Sequence, residues 1–272
     1  MDIKKAVIPV AGLGKRFLPI SRTIPKAMMP LFDRPILDYA ISEALESEIT
    51  EIFVVMSPSQ NMIIDYYESD PDISVQPIKS QVKTKMIKSL VLKNSVQLNF
   101  VIQENPLGLG NAILATKEFI GDYPFAIILP DDLIFSQKNP ISSMKNFFSH
   151  SHSNIIAVRE VQHEVINQFG IVEINESLEK NNFSSIKSMV EKPKTNKSSS
   201  NLAIVGRYIL LPSIFESLEK TLPGANNEIQ LTDAISSIIP IRKVHAFLFE
   251  GNHFDVGNPN GLIEASSFFI NK

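Results

Sequence analysis

The sequence contains no cysteine, which excludes disulfide bonds and thiolate metal sites. It also lacks an excess of positive charge. The formal net charge is -3 and the isoelectric point is near 6.0, whereas a general polyanion binder would be more basic. No apolar run approaches the roughly 18 residues that span a membrane. Glycines and cations at positions 12–16 interrupt the first apolar run, so a signal peptide is not expected. We therefore expect a cytoplasmic protein that binds neither nucleic acid nor membranes.

The chain alternates predicted strands and helices without an internal repeat or a dividing linker. With 272 residues, 44% of them hydrophobic, it can bury a sizeable core, and we expect a single domain over 1–272. Strand, helix and strand in succession indicate parallel pairs, so we predict an α/β fold with a mostly parallel (mixed) central sheet flanked by helices. Apolar runs predict strands at 4–10, 51–56, 99–103, 124–129, 155–161, 170–174, 186–190, 203–210 and 244–249. Apolar residues at helical spacing predict helices at 35–49, 110–119 and 214–222 and a mostly helical segment at 60–92. The polar composition of residues 194–201 predicts a loop.

The first strand ends in a loop of small residues, Ala11 to Gly14, which is followed by cations. Backbone N–H groups exposed by small residues form an anion-binding concavity, and Arg16 and Lys26 add charge suited to phosphate. The third glycine of the dinucleotide fingerprint and the Gly-Lys-Ser/Thr end of a Walker loop are both absent. The loop therefore indicates phosphate binding of another kind, and the alternative is a tight turn with solvated cations.

A second glycine-containing turn, at 106–110, follows the strand that ends at Gln103. Gly108 would let a flat ring approach the backbone, and the Gln103 amide could form a hydrogen bond with that ring. The alternative is an ordinary loop between a strand and a helix, whose glycines serve only the turn.

Two aspartates suit a divalent cation. Asp131 follows a buried strand, where open α/β sheets bind ligands, and Asp255 precedes a glycine. Mg²⁺ takes one or two carboxylates together with phosphate oxygens, so the two residues form such a site if the fold brings them together. Helix N-capping is the alternative role for either aspartate.

Glu191 and Lys192 also follow a strand, in the segment VEKP. The Glu191 carboxylate is an acceptor suited to sugar hydroxyls. Lys192, next along an extended chain, would point the other way or toward a phosphate. Without further context the two residues form a surface ion pair before a turn.

These segments, taken in order, resemble the bacterial UTP–glucose-1-phosphate uridylyltransferases (UDP-glucose pyrophosphorylases), within the sugar-nucleotide pyrophosphorylase family. The resemblance runs from residue 6 to about residue 265. The matching pieces read AVIPVAGLGKRFLPISRTIPK, PILDYAISEA, NPLGLGNAIL, PFAIILPDD, FGIVE, VEKP, VGRYILLPSIFE, PGANNEIQLTDAI and HFDVG. The resemblance implies a Rossmann-like nucleotidyltransferase fold and a homo-oligomer, a dimer or a tetramer.

The resemblance also implies a reaction and a role for each candidate residue. A phosphate oxygen of glucose 1-phosphate attacks the α-phosphorus of UTP in line, and pyrophosphate leaves; Mg²⁺ and cations offset the repulsion between the anions, and no catalytic base is required. The implied roles are uracil and ribose binding by Ala11, Gly12, Gly14, Gln103 and Gly108, triphosphate binding by Arg16 and Lys26, Mg²⁺ binding by Asp131 and Asp255, glucose binding by Gly170, Glu191 and Gly206, and binding of the glucose 1-phosphate phosphate by Lys192.

Four positions depart from the family pattern, namely Lys15, Ala27, Asn111 and Pro259, which replace Thr, Glu, His and Lys. They leave open a pyrophosphorylase for another nucleotide or sugar 1-phosphate. A weakly catalytic regulatory paralogue is a further alternative, although every charged residue assigned to the chemistry is present.

Overall fold

A computed structural model describes residues 2–70, 72–75, 86–92, 95–176, 182–194, 200–224 and 227–271. The strands are β1 (Lys5–Pro9), β2 (Pro30–Leu31), β3 (Arg34–Pro35), β4 (Glu51–Met56), β5 (Ser74–Val75), β6 (Met86–Val91), β7 (Gln97–Ile102), β8 (Phe125–Ile128), β9 (Asp132–Phe135), β10 (Asn154–Glu160), β11 (Gly170–Ile174), β12 (Phe183–Glu191), β13 (Leu202–Leu210), β14 (Val244–Leu248) and β15 (Asn252–Asp255). The α-helices are α1 (Ile36–Glu46), α2 (Asn61–Glu68), α3 (Leu109–Leu114), α4 (Lys117–Ile120), α5 (Pro140–Ser151), α6 (Ile214–Lys220), α7 (Leu231–Ile238) and α8 (Pro259–Ile270). None of these helices is both long and apolar enough to cross a bilayer.

The central sheet is mixed and contains eleven strands, in the order β10-β14-β12-β11-β13-β8-β1-β4-β7-β6-β5. Parallel pairing joins β8, β1, β4 and β7, and also β10 and β14, whereas the other neighbours in the sheet are antiparallel. The parallel share is therefore smaller than the sequence suggested. β13 pairs with β10 as well as with β11 and β8, so β10, β14, β12, β11 and β13 form a closed ring of strands.

Helices cover both faces of the sheet, because the central strands are apolar on both sides. Alternate residues of β4 illustrate this: Ile52 and Val54 pack in the cluster that includes α1, α2 and α5, whereas Phe53 and Val55 pack in the cluster of α3, α4, α6 and α7. A third, smaller cluster joins the antiparallel ribbon of β9 and β15 to α8 and to the loop after β1, through Phe17. This cluster fixes both the loop and the ribbon at the carboxyl ends of β1 and β8.

Most predicted elements are confirmed, and one prediction is wrong. The predicted strands coincide with β1, β4, β7, β8, β10, β11, β12, β13 and β14. Among the described residues of the segment 60–92, predicted to be mostly helical, only Asn61–Glu68 is a helix, and Met86–Val91 is a strand. Pairing with β7, which places Leu90 opposite Leu98, decides this against local preference. Residues 71 and 76–85 of that segment lie outside the described residues, as do 195–199 of the predicted polar loop.

The sequence did not predict α5, α7, α8 or the ribbon of β9 and β15. The predicted helix at 110–119 is two short helices, α3 and α4. The ribbon is the omission that matters for the site, since both predicted magnesium ligands lie at its end.

Candidate active site

The loop after β1 folds back so that Gly14 lies beside Lys26. Gly14 has φ of 59°, in the left-handed region, and a side chain there would stand 3.3 Å from Lys26 Cβ. A side chain at Gly12 would meet nothing within 4 Å, so the backbone of this residue is open on that side. Phe17, buried at 6% exposure, anchors the turn. The loop therefore has an open backbone and a cation beside it, as the phosphate-binding interpretation requires.

The two predicted magnesium ligands converge. Val256 N–H donates to the Asp131 carbonyl at 2.8 Å, which ties the end of β15 to the end of β8. A side-chain carbon on Gly257 would lie 2.8 Å from Asp131 Oδ2, 2.9 Å from Asp255 Oδ1 and 2.7 Å from Arg16 Nη2. Both carboxylates and one guanidinium group thus surround a single point, and glycine is the residue that leaves the space.

Each of these carboxylates is paired with a cation. Lys26 Nζ donates to Asp131 Oδ2 at 2.6 Å, and Arg16 Nη1 donates to Asp255 Oδ2 at 2.8 Å. Burial acts to raise the pKa of Asp131, but the charges of Lys26 and Arg16 outweigh it, so the pKa lies below its usual value. The Asp131 carboxylate therefore stays ionised, which is the form that binds a cation.

The donor set fits Mg²⁺. Among the described residues, no group of three or more His, Cys, Asp or Glu side chains could hold a metal ion. Two carboxylates at one point are nevertheless what Mg²⁺ takes from protein when substrate phosphates supply further oxygens.

A cavity of about 590 Å³ opens beside these carboxylates. Its lining includes Arg16, Asp131, Asp255, Gly170, Glu191, Lys192 and Gly206. All of the predicted sugar ligands therefore face the same space as both predicted metal ligands and two predicted phosphate ligands, Arg16 and Lys192.

Glu191 is held in this cavity by a hydroxyl group. Thr232 Oγ1 donates to Glu191 Oε2 at 2.7 Å, while Glu191 Oε1 lies 3.5 Å from Lys192 Nζ. A side chain at Gly170 would stand 3.1 Å from Glu191 Oε2 and 2.8 Å from Ile204 Cδ1, so the glycine leaves room for the carboxylate.

Lys192 differs from its predicted geometry. Its φ is 45°, in the left-handed region, so the chain is not extended there. Lys192 N–H donates to the Phe169 carbonyl at 3.0 Å, which holds this turn, and the ammonium lies on the same side as Glu191 rather than opposite to it. The side chain is 51% exposed, so its charge remains accessible at the cavity mouth.

The predicted base-binding residues lie at the same edge of the sheet, on either side of β4. Val10 N–H donates to the Val55 carbonyl, and Gln103 N–H donates to the Met56 carbonyl. The loop after β1 and Gln103 therefore flank the carboxyl end of β4. Gly108 has φ of 94°, and a side chain there would stand 2.7 Å from Glu228 Cβ. Packing within the chain therefore requires a glycine at this position by itself, and contact of Gly108 with a ring stays a prediction.

Sequence reasoning missed several residues that shape the site. The His253 side chain is 2% exposed, and its Nε2 lies 2.7 Å from Asp132 Oδ1. Asp132 Oδ2 accepts from Gly206 N–H at 3.2 Å. This pair connects the ribbon to β13 at the sugar side. The second aspartate of LPDD was visible in the sequence, but its partners come from distant segments.

Two arginines also support the site. Arg207, buried at 1% exposure, donates to both carboxylate oxygens of Glu43. Its Nη1 also donates, at 2.9 Å, to the carbonyl of Leu129, two residues before Asp131. Arg159 lies over the Phe169 ring at 5.5 Å. Burial lowers the pKa of Arg159, and the negative charges of the nearby aspartates Asp132 and Asp255 oppose that shift.

Comparison with known proteins places this geometry in a family. The family model described as nucleotidyl transferase matches residues 5–272. The chain belongs to the nucleotidyl transferase family. It is 37% identical over 268 residues to UTP–glucose-1-phosphate uridylyltransferase 1 of Streptococcus pyogenes, covering 97% of this chain and 88% of that protein. It is 38% identical to UTP–glucose-1-phosphate uridylyltransferase of Streptococcus pneumoniae, with 97% and 89% covered.

Solved structures agree with this placement. A UDP-glucose pyrophosphorylase complexed with UDP-glucose superimposes with a TM-score of 0.85 at 36% identity, covering 99% of both chains. A UTP-bound UDP-glucose pyrophosphorylase from Acinetobacter baumannii superimposes with a TM-score of 0.83 at 33% identity, covering 98% of this chain and 93% of the other. The expected nucleotidyltransferase fold is confirmed.

Proposed function

We propose that this protein transfers the uridylyl group of UTP to glucose 1-phosphate, forming UDP-glucose and pyrophosphate. The relatives and structural neighbours that carry these activities support the proposal. The observation that carries it in this chain is the convergence of Asp131, Asp255 and Arg16 on one point at Gly257, beside a cavity lined by Glu191 and Lys192.

The reaction is a displacement at phosphorus between two anions. A phosphate oxygen of glucose 1-phosphate forms a bond to the α-phosphorus of UTP. The bond from that phosphorus to the oxygen that bridges the α- and β-phosphates breaks, and pyrophosphate leaves with the electron pair. The second pKa of a phosphate monoester is about 6, so the nucleophile is ionised at neutral pH and no base is needed. Charge and alignment are therefore what the protein has to supply.

The chain supplies positive charge from three side chains, Arg16, Lys26 and Lys192. We assign Arg16 and Lys26 to the triphosphate, since both lie at the loop after β1, and Lys192 to the phosphate of glucose 1-phosphate at the cavity mouth. Substrate phosphates would compete with Asp131 and Asp255 for Lys26 and Arg16. The two ion pairs keep these four groups in place before substrate arrives, so little rearrangement is required.

We propose Mg²⁺ as the cofactor, held by Asp131 and Asp255. When bound, it supplies positive charge to the phosphate oxygens and lowers the repulsion between the substrates.

On the ligand side, we assign Ala11, Gly12, Gly14, Gln103 and Gly108 to the uracil and ribose, and Gly170, Glu191 and Gly206 to the glucose. The open backbone at Gly12 and the position of Glu191 in the cavity support these assignments.

We further propose a single domain over 1–272, since one continuous sheet joins both halves of the site. A homodimer or homotetramer stays a prediction.

The decisive assay measures pyrophosphate release with Mg²⁺ and glucose 1-phosphate, comparing UTP, dTTP, CTP, ATP and GTP in parallel. We expect release that is selective for UTP. Selectivity for another nucleotide would assign a sister activity, and no release from folded protein with any nucleotide would reject the proposal in favour of a regulatory paralogue.

Asp131→Asn tests the assignment of the metal ligand. Loss of one carboxylate should lower kcat by about a hundred-fold or more, as loss of one preorganised electrostatic group does in other active sites. Asp122→Asn is the matched control, since this aspartate is exposed and lies at the opposite end of the strands. A near-normal rate for Asp131→Asn would remove Asp131 from the metal site.

A further inference from the structure

The orientation of the Gln103 side-chain amide is fixed by two acceptors. Gln103 is buried at 6% exposure, and its Nε2 donates to the Gly108 carbonyl at 3.1 Å and to Asn111 Oδ1 at 2.8 Å. A backbone carbonyl can only accept, so the group that faces Gly108 must be the NH₂ of the amide. The opposite orientation would place the Gln103 oxygen against the Gly108 oxygen without a hydrogen between them.

The oxygen of the same amide is left free. Gln103 Oε1 has no hydrogen-bond partner among the described residues. It is not sealed inside the protein either. It therefore reaches an open surface. That surface lies at the carboxyl end of β7, across β4 from the exposed backbone of Gly12. Adjacent strands are about 4.8 Å apart, so β1 and β7 are about 10 Å apart, an interval that a flat ring with a hydrogen bond at each end fills.

We propose that Asn111 is a specificity-determining positioning residue: by accepting from Gln103 Nε2, it keeps Gln103 Oε1 turned toward the base and thereby selects a ring that carries N–H at that edge. This inference rests on the proposed function, in which Gln103 contacts the base of the nucleotide. Asn111 acts through Gln103 and does not itself touch substrate.

The chemistry of the two pyrimidines gives the inference its direction. Uracil carries a hydrogen at N3 and can donate to Gln103 Oε1, whereas cytosine has a lone pair at N3. An amide oxygen held opposite that lone pair repels it. A site that accepts a hydrogen bond from the ring therefore rejects a ring that has no donor at that position. If the amide turned over freely, Nε2 would face cytosine instead, and the discrimination would weaken.

Asn111 is also placed to have this effect without supporting the fold. It lies in the third position of α3, with its side chain directed to Gln103, and it is only partly buried. The Gly108 carbonyl still favours the native orientation when Asn111 is absent, so its loss should reduce the discrimination rather than abolish it.

The experiment compares Asn111→Leu with Asn111→Asp. Leucine removes the acceptor, whereas the aspartate carboxylate retains it. We measure kcat/KM for UTP and for CTP at saturating glucose 1-phosphate, the KM for glucose 1-phosphate, and thermal unfolding. Asn146→Leu is the matched control, since Asn146 is exposed on α5, away from the site.

We expect Asn111→Leu to lower the UTP-to-CTP ratio of kcat/KM by about three-fold to ten-fold, the effect of one hydrogen bond. Asn111→Asp should keep the ratio, even if its added charge weakens both nucleotides. The KM for glucose 1-phosphate should not change in either variant. Equilibrium binding of UMP and CMP should show the same change in ratio without turnover.

An unchanged ratio in Asn111→Leu, with the variant folded, would overturn the inference. So would an equal loss of ratio in Asn111→Asp, since that would show that the amide acceptor is irrelevant. Failure of the proposed function is a separate outcome, because the wild-type protein itself would then show no preference for UTP.

Discussion

Lys26 Nζ lies 2.6 Å from Asp131 Oδ2, although 105 positions separate the two residues in the chain. The pair joins the loop after β1 to the end of β8, which are neighbouring strands of the parallel part of the sheet. It therefore fixes a phosphate ligand and a metal ligand relative to each other. Several consequences of this arrangement can be measured.

Acidification should reveal the stability that Asp131 contributes. The pKa of Asp131 is lowered in the folded protein from the ordinary value of 3.8, so ionisation favours the folded state. This contribution is fully present above pH 3.8 and is lost as the pH falls through the folded pKa. The measurement is urea unfolding of wild type and Asp131→Asn in EDTA between pH 7 and pH 2.5. The stability difference between them should be constant above about pH 5 and shrink below pH 3.8; a difference independent of pH would contradict it.

Lys192→Asn should weaken the handling of glucose 1-phosphate without unfolding the protein. Asparagine tolerates the left-handed backbone that Lys192 adopts, so only the ammonium is lost. We expect the KM for glucose 1-phosphate to rise by about ten-fold or more, as expected for one charge-assisted contact, with the KM for UTP unchanged. Lys187→Asn is the control at an exposed position of β12. A change confined to the KM for UTP would show that the assignment of Lys192 is wrong.

Thr232→Val should reduce the discrimination between sugar phosphates. The valine cannot donate to Glu191 Oε2, so the carboxylate loses the partner that holds it in the cavity. We expect kcat/KM for glucose 1-phosphate to fall by about three-fold to ten-fold, with a smaller preference over galactose 1-phosphate. Thr221→Val removes a comparable hydroxyl, bonded to the Ser217 carbonyl outside the site. An unchanged glucose-to-galactose preference in both Thr232→Val and Glu191→Ala would argue against a sugar contact by Glu191.

Arg207→Met should destabilise the fold strongly. It leaves the Glu43 carboxylate, whose side chain is only 12% exposed, without its partner, and such a loss costs about 3–5 kcal/mol in buried pairs. Lys117→Met breaks the exposed ion pair with Glu219 and should cost less than about 1 kcal/mol. Both values come from urea unfolding. Equal effects in the two variants would show that burial of the Arg207 pair does not matter to stability.

Most strands could be predicted because their apolar runs are long and are bounded by charge or glycine. Residues 51–56 and 203–210 are examples, and both are strands within a residue or two of the prediction. The strand at 86–91 could not be predicted in this way. Its pairing with β7 depends on contacts that the local pattern does not encode.

The candidate site divides in the same manner. Chemistry-bearing residues such as Asp131, Asp255 and Lys192 could be selected from the sequence, since their types suit metal and phosphate. Asp131 and Lys192 also follow predicted strands, and Asp255 precedes a glycine. Their supporting partners could not. Thr232, His253 and Glu43 look like ordinary helix and strand residues until the fold brings each to a carboxylate or a guanidinium group.

By itself, the sequence determined the class of fold, the order of its central strands along the chain and the chemical types available for the reaction, because residue type and local periodicity set these. Only the tertiary structure decided that Asp131 and Asp255 meet at Gly257, that Lys192 turns toward Glu191, and that Asn111 orients the Gln103 amide. Each of these depends on contacts between segments that are distant in the chain or on a backbone turn that those contacts hold, and such contacts form only when the sheet and its ribbon have assembled.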